Sequence, residues 1–263
     1  MMHRRILLSL ICFLPLVVWG QDSARQPLFL LLEGGGGLGV YRDAGASPLR
    51  HRGPQLGGSL GVEAKGNTWQ WSAGMRLQGG GYGYKLDVTQ LFAYGGQLSA
   101  YGEVLRRVGG TSPLSFWAGV GVDELFDLRY NSQLSNASVG MSNFVRLRLT
   151  ARVEGHRHGW MAWAQAWVDP VALMLRPGFP YVNNYDRDIA NPVACALDQY
   201  GWYVAGLTGV ASQVGIRRHL KRGNAVGLAY SWQYVTSRTA EDTAPWRFQQ
   251  ASHGLTFQLL FCL

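Results

Sequence analysis

Residues 143 to 154, "NFVRLRLTARVE", set Val145, Leu147, Leu149, Ala151 and Val153 in alternation with Arg146, Arg148 and Arg152. A β-strand points successive side chains to opposite faces, so such a run carries one continuous apolar face and one face with three arginines. Apolar faces kept for about nine residues or more recur along the chain after residue 20. They lie near 28 to 41, 55 to 64, 68 to 79, 92 to 105, 113 to 122, 143 to 154, 160 to 169, 203 to 217, 224 to 236 and 248 to 263. Each predicts a strand.

The links between these runs alternate in length. Those after the second, fourth, sixth and eighth runs are tight: "KGN" at 65 to 67, "RRVGGTS" at 106 to 112, "GHRHG" at 155 to 159 and "RHLKRG" at 218 to 223. The other links are longer, the longest covering 170 to 202. An even strand number with short turns at one end and long loops at the other is the pattern of an all-β, antiparallel up-and-down transmembrane β-barrel of about 10 strands. Its turns would be periplasmic and its loops external. A strand of roughly ten residues, tilted, also spans the hydrocarbon of a membrane.

The bulky side chains share the apolar face: Trp69, Trp71, Ala73, Met75 and Leu77 in the third run, and Val226, Leu228, Tyr230, Trp232 and Tyr234 in the ninth. The residues between them are small or polar. In a soluble sandwich the bulky face would pack inward, whereas in a membrane barrel it meets lipid and the polar face lines the lumen. The arginines of 143 to 154 are therefore expected inside.

The first residues add a location. Met1 to Arg5 are basic, Ile6 to Trp19 are apolar and Gly20 precedes Gln21, the layout of a secretory signal peptide over 1–20. The apolar run is shorter than the roughly 20 residues a membrane-spanning helix needs. Residues 21–263 then form one barrel domain. Its 35 glycines, 10 tryptophans and 12 tyrosines with only 15% charged residues suit a β protein with aromatic side chains at membrane interfaces. The formal charge of +8 falls to +6 without Arg4 and Arg5, a weak pull toward anionic surfaces and no sign of a nucleic-acid partner. Cys195 and Cys262 give no disulfide framework and are expected free.

The C-terminal "HGLTFQLLFCL" places Phe257, Leu259, Phe261 and Leu263 at alternating positions ending on the last residue. This resembles the terminal strand of the Gram-negative outer-membrane β-barrel superfamily. The likeness implies residence in the outer membrane, contact with its lipid, and recognition by the barrel-assembly machinery during biogenesis. Members commonly finish on Phe; here Leu263 stands last, with the aromatic two residues earlier.

Strand by strand, the lumen face collects Glu33, Glu63, Arg76, Glu103, Arg146, Arg148, Arg152, Glu154 and Arg217. A barrel of this size is narrow enough for side chains to fill, and charges inside it are costly unless paired. A lumenal network in which the arginines pair with glutamates of other strands is the expectation. The alternative is a basic ladder guiding anions through an open pore.

Other chemistry finds little support. Asp123, Glu124 and Asp127 in "DELFD", and Asp186 and Asp188 in "NNYDRD", are read as solvated loop carboxylates without the spacing of a calcium loop. His156 and His158 are read as a polar turn. Ten strands resemble the omptin proteases, whose external end carries Asp pairs and an Asp/His couple, but His51 and His253 belong to no His-x-Asp motif. Ser252 and His253, the pair a lipid A deacylase would need, are neighbours and so face opposite ways. Gly34 to Gly37 lack the Lys-Ser/Thr of a phosphate loop and suit curvature or close packing instead. Asp22-Ser23-Ala24 and Asp242-Thr243-Ala244 resemble short acceptor triplets for periplasmic O-glycosylation. No catalytic, cofactor or metal residue is assigned. The sequence points to a non-enzymatic outer-membrane barrel serving as a surface-exposed structural, adhesive or complex-forming component, with a protein partner or ligand at its long loops. A small porin-like channel for anionic solutes and a loop-borne hydrolase are the alternatives.

Overall fold

The computed structural model describes residues 27–43, 47–86, 89–130, 139–177, 200–237 and 248–263. The expected signal peptide, the acceptor triplets, Asp186, Asp188 and Cys195 lie outside these residues. Ten strands run in chain order: β1 (Leu28–Asp43), β2 (Ser47–Lys65), β3 (Trp69–Leu86), β4 (Thr89–Gly109), β5 (Leu114–Tyr130), β6 (Val139–Arg157), β7 (Trp160–Pro177), β8 (Tyr200–His219), β9 (Ala225–Ser237) and β10 (Phe248–Cys262). Every strand pairs antiparallel with its sequence neighbours, and β1 pairs with β10 to close the barrel. Closure leaves no open sheet edge, the condition for a sheet in hydrocarbon.

Alternation sorts the side chains. Leu56, Leu60, Met75, Leu77, Leu98, Val120, Leu147, Leu149, Leu228, Leu255 and Phe257 all point outward and are exposed. An apolar wall of this extent demands a lipid environment. At the turn end, the outward Trp69 lies opposite Arg106 and the outward Trp160 opposite Arg218. The guanidinium carbons stand 5.7 and 5.1 Å from the two indole ring centres, cation–π contacts at the depth where a membrane interface selects Trp. Toward the loop end, Tyr94 and Tyr130 pair across β4 and β5, both exposed.

The four tight links are turns as expected. In three of them positive backbone φ, at Gly110, at His158 and Gly159, and at Arg222 and Gly223, reverses the chain within a few residues, and at the first Gly66 donates to the Trp69 carbonyl at 2.8 Å. The other ends of the strands differ from expectation. β2 begins at Ser47 rather than near 55, β3 runs on to Leu86, β5 to Tyr130 and β7 to Pro177. On β2 and β3 the added strand has outward positions that are not apolar, such as Arg52 and Gly83, so the period-two signal fades. On β5 and β7 the outward face stays apolar through Leu128, Tyr130, Val171 and Leu173, beyond the expected ends.

Close strand approach explains two of the glycines in "GGGG". A Cβ on Gly35 would sit 2.1 Å from the Leu255 carbonyl oxygen and one on Gly37 2.0 Å from that of His253, both on β10. Gly34, facing outward, would meet nothing within 4 Å. The tight contact is with strand backbone, not with a lumen side chain.

Candidate functional site: the charged lumen

β6 supplies the densest charge. Its inward positions include Arg146, Arg148, Arg152 and Glu154, and Asp123 on β5 lies directly opposite Arg146. On the other side, β7 carries a bulge: Leu147 pairs with Val171 but Leu149 with Val168, leaving one extra residue on β7. Pro170, with no N–H to give to a ladder, occupies that irregularity. Beside it, Asp169 turns into the lumen and is only 1% exposed.

Two arginines and two aspartates thus meet at mid-barrel. Arg146 pairs with Asp123 and, at 3.2 Å, with Asp169. Arg148 donates to Asp123 at 3.1 Å and to Asp169 at 3.3 Å, with its guanidinium carbon 5.0 Å from the Trp167 ring centre. The quartet is neutral, and each carboxylate touches both guanidiniums. That satisfies the condition under which buried charges are tolerated.

The remaining expected residues surround it. Glu154, fully buried, takes Arg152 at 2.8 Å, Lys65, Gln70 and the His156 ring, whose Nε2 is 3.5 Å away. Arg217 pairs with Glu63 at 2.8 Å, donates to Gln258 at 2.9 Å and lies 4.7 Å from the Trp163 ring centre. Glu33 accepts hydrogen bonds from Ser59 and Gln258, and Glu103 from Thr150 and Gln165. Arg76 has no carboxylate within ion-pair distance among the described residues; its guanidinium lies 6.0 Å from the Tyr101 ring centre.

All nine residues named from the sequence line one lumen; Arg217 pairs with a glutamate of another strand, Glu63, as expected, while the rest of the expected partnership differs. Arg146 and Arg148 pair with aspartates, not glutamates, and Glu33 and Glu103 are held by neutral donors. The missed members are Lys65, Asp123, Asp127, Arg129 and Asp169. Asp123 and Asp127 are not loop residues: both lie on β5 and are buried. Their signal was parity, since Asp123, Leu125, Asp127 and Arg129 continue the inward series of Ser115 and Trp117. Glu124, at the opposite parity, accepts from Asn143 at 2.9 Å on the outer face.

Above the quartet, toward the loop end, Leu125, Phe144, Met174, Val235 and Phe248 form one buried apolar cluster. Arg129 reaches over the Phe248 ring at 4.8 Å and holds Asp127 at 2.5 Å, while Gln97 bridges Asp127 and Gln250. Two cavities of about 110 and 90 Å³ border Arg76: the first lies in the lumen, and the second reaches past the inner face to Leu56, Trp232 and Leu255. Each has room for several waters.

No known family profile matches the chain, and no curated protein matches it. Solved structures do. The outer membrane protease OmpT of Escherichia coli superimposes with a TM-score of 0.51 at 6% identity, over 93% of this chain and 99% of that one. The fold is that of a bacterial outer-membrane β-barrel. Neisserial surface protein A aligns over 90% of this chain and 97% of its own at 9% identity and a TM-score of 0.35. The translocator domain of the autotransporter NalP from Neisseria meningitidis aligns over 97% and 96% at 7% identity and 0.42.

At such identities the likeness concerns the barrel and carries no residue across. His51 of this barrel is buried and stacks on Tyr41, ring centres 4.9 Å apart. His253 is on the outer wall near Tyr230, whereas Ser252 beside it faces the lumen. Among the described residues no cluster of His, Cys, Asp and Glu has the makings of a metal site.

Proposed function

We propose that this barrel is a non-enzymatic outer-membrane component whose lumen is a structural core and whose loop end acts at the cell surface, in adhesion or complex formation. The observation that carries the reading is the set of side-chain contacts that cross the lumen. The Phe144–Phe248 cluster joins β5, β6 and β7 to β9 and β10 across the lumen, and Lys65–Glu154, Arg217–Glu63 and Gln97–Gln250 tie strands that are not neighbours, while the Arg146–Arg148–Asp123–Asp169 quartet fixes the β5–β6–β7 wall. A wall packed this way makes a rigid platform for the connections at 131–138, 178–199 and 238–247, where binding residues of a scaffold commonly sit. The interior lining, tied by ion pairs, serves folding rather than transport.

A second reading, a narrow route for anionic solutes, draws on Arg76. It is the one lumenal arginine among the described residues with no carboxylate at ion-pair distance, and it borders both cavities. Passage would require the Phe144–Phe248 packing and the Lys65–Glu154 and Arg217–Glu63 pairs to part.

The surface role is tested on intact cells expressing the protein. A membrane-impermeant maleimide is expected to label Cys195, and added protease to cut within 178–199 while leaving the tight turns whole. Labelling and cleavage only after the outer membrane is permeabilised would invert the orientation and remove the surface role.

A further inference from the structure

The turn end of the barrel carries cations that the lumen does not use. Arg106, Arg107, Arg157, Arg218, Lys221 and Arg222 are all exposed there, and no aspartate or glutamate side chain is exposed at that end among the described residues. Glu154, nearest in sequence, is buried in the lumen. We propose that this rim is a binding surface for anionic phospholipid headgroups, and in the cell for those of the periplasmic leaflet, a leaflet assignment that rests on the orientation given above.

Two observations choose lipid over a partner beneath the barrel. Arg106 and Arg218 stand at outward positions of β4 and β8, opposite Trp69 and Trp160 and stacked on their rings. Their charge is held on the lipid side of the wall at interface depth, sideways to the axis, where phosphates lie. Arg218 also donates to the His158 carbonyl at 3.0 Å and Arg107 to that of Gly110 at 3.1 Å, which fixes the side chains against the turns. Spare N–H donors on each guanidinium suit a phosphate.

The test places the refolded barrel in phosphatidylcholine vesicles with trace spin-labelled phosphatidylglycerol or spin-labelled phosphatidylcholine, and compares the fractions immobilised at the protein. A rim cation near the surface is worth about fivefold in partition. The phosphatidylglycerol preference is therefore expected to be about fivefold or more. It should fall severalfold in R106Q/R218Q, and in wild type at about 0.5 M salt, where charges are screened beyond a few ångströms. The salt arm needs no variant to fold. R52Q, an exposed arginine near the opposite end, should keep the preference. A wild-type ratio near one overturns the proposal, as does a ratio that R106Q/R218Q leaves unchanged. A ratio near one together with binding of soluble polyglutamate would assign the rim to an acidic partner and also overturn it. Lipid occupies both leaflets of the vesicle, so the ratio does not depend on orientation. Inverted Cys195 labelling would remove only the leaflet assignment.

Discussion

At Arg146 and Arg148 the sum of charge decides what a substitution does. Each touches Asp123 and Asp169, so removing one cation strands buried carboxylates, at about 3 to 5 kcal/mol when a buried pair is broken. Arg148→Glu puts a third carboxylate into that space and is expected to destabilise the barrel more than Leu147→Ala, whose side chain faces lipid. Urea unfolding of refolded protein in lipid vesicles, followed by tryptophan fluorescence, measures both. Arg146→Ala and Asp123→Ala should each be costly, yet the double variant, which leaves Arg148 facing Asp169, should cost less than their sum by about 1 to 3 kcal/mol. Additive losses would mean that the quartet is not one unit. Of these residues, the arginines were legible in the sequence because a period-two apolar face flanks them. Asp123 was not, because "DELFD" has carboxylates at both parities and reads as a loop until the inward series of β5 is followed through it. Asp169 continues the inward series of Trp163, Gln165 and Trp167, but it stands last in the expected run, next to Pro170, and reads as a strand end.

At the scale of strands, the turn end was read closely and the loop end was not. Three of the four tight links turn on residues with positive φ, at Gly110, His158–Gly159 and Arg222–Gly223, between two apolar runs. Stretches such as "GGGYGYK" at 79 to 85 have no apolar stripe, yet they continue β3. What holds them is the ladder to β4, from Gly79 opposite Gly96 to Leu86 opposite Thr89, a tertiary constraint with no local pattern. The seam between β1 and β10 gives a sharper test. Gly37→Ala would drive a Cβ into the His253 carbonyl and is expected to destabilise the barrel by about 1 to 3 kcal/mol, the range for overpacking. Gly34→Ala meets open space and should change stability far less. Equal effects in urea unfolding would mean that the β1–β10 approach is looser than described.

For the whole molecule, closure and filling are separate properties. Closure follows from ten antiparallel strands with β1 joined to β10, and predicts a barrel that keeps its fold in detergent until heated, seen as a migration shift on gels. The sequence carried that much, through strand number and the terminal Phe257-x-Leu259-x-Phe261 pattern. Filling depends on which inward side chains meet across the lumen, and an ion pair between strands far apart in sequence, such as Lys65 with Glu154, leaves no mark in local order. The most direct test of the filled lumen is the conductance of the purified barrel in planar lipid bilayers. The account predicts no reproducible unitary steps at moderate voltage in wild type, and small steps only when the packing across the lumen is emptied, as in Phe144→Ala/Phe248→Ala. Steady, anion-selective steps in the wild-type protein, diminished by Arg76→Gln, would contradict it and make this barrel a channel.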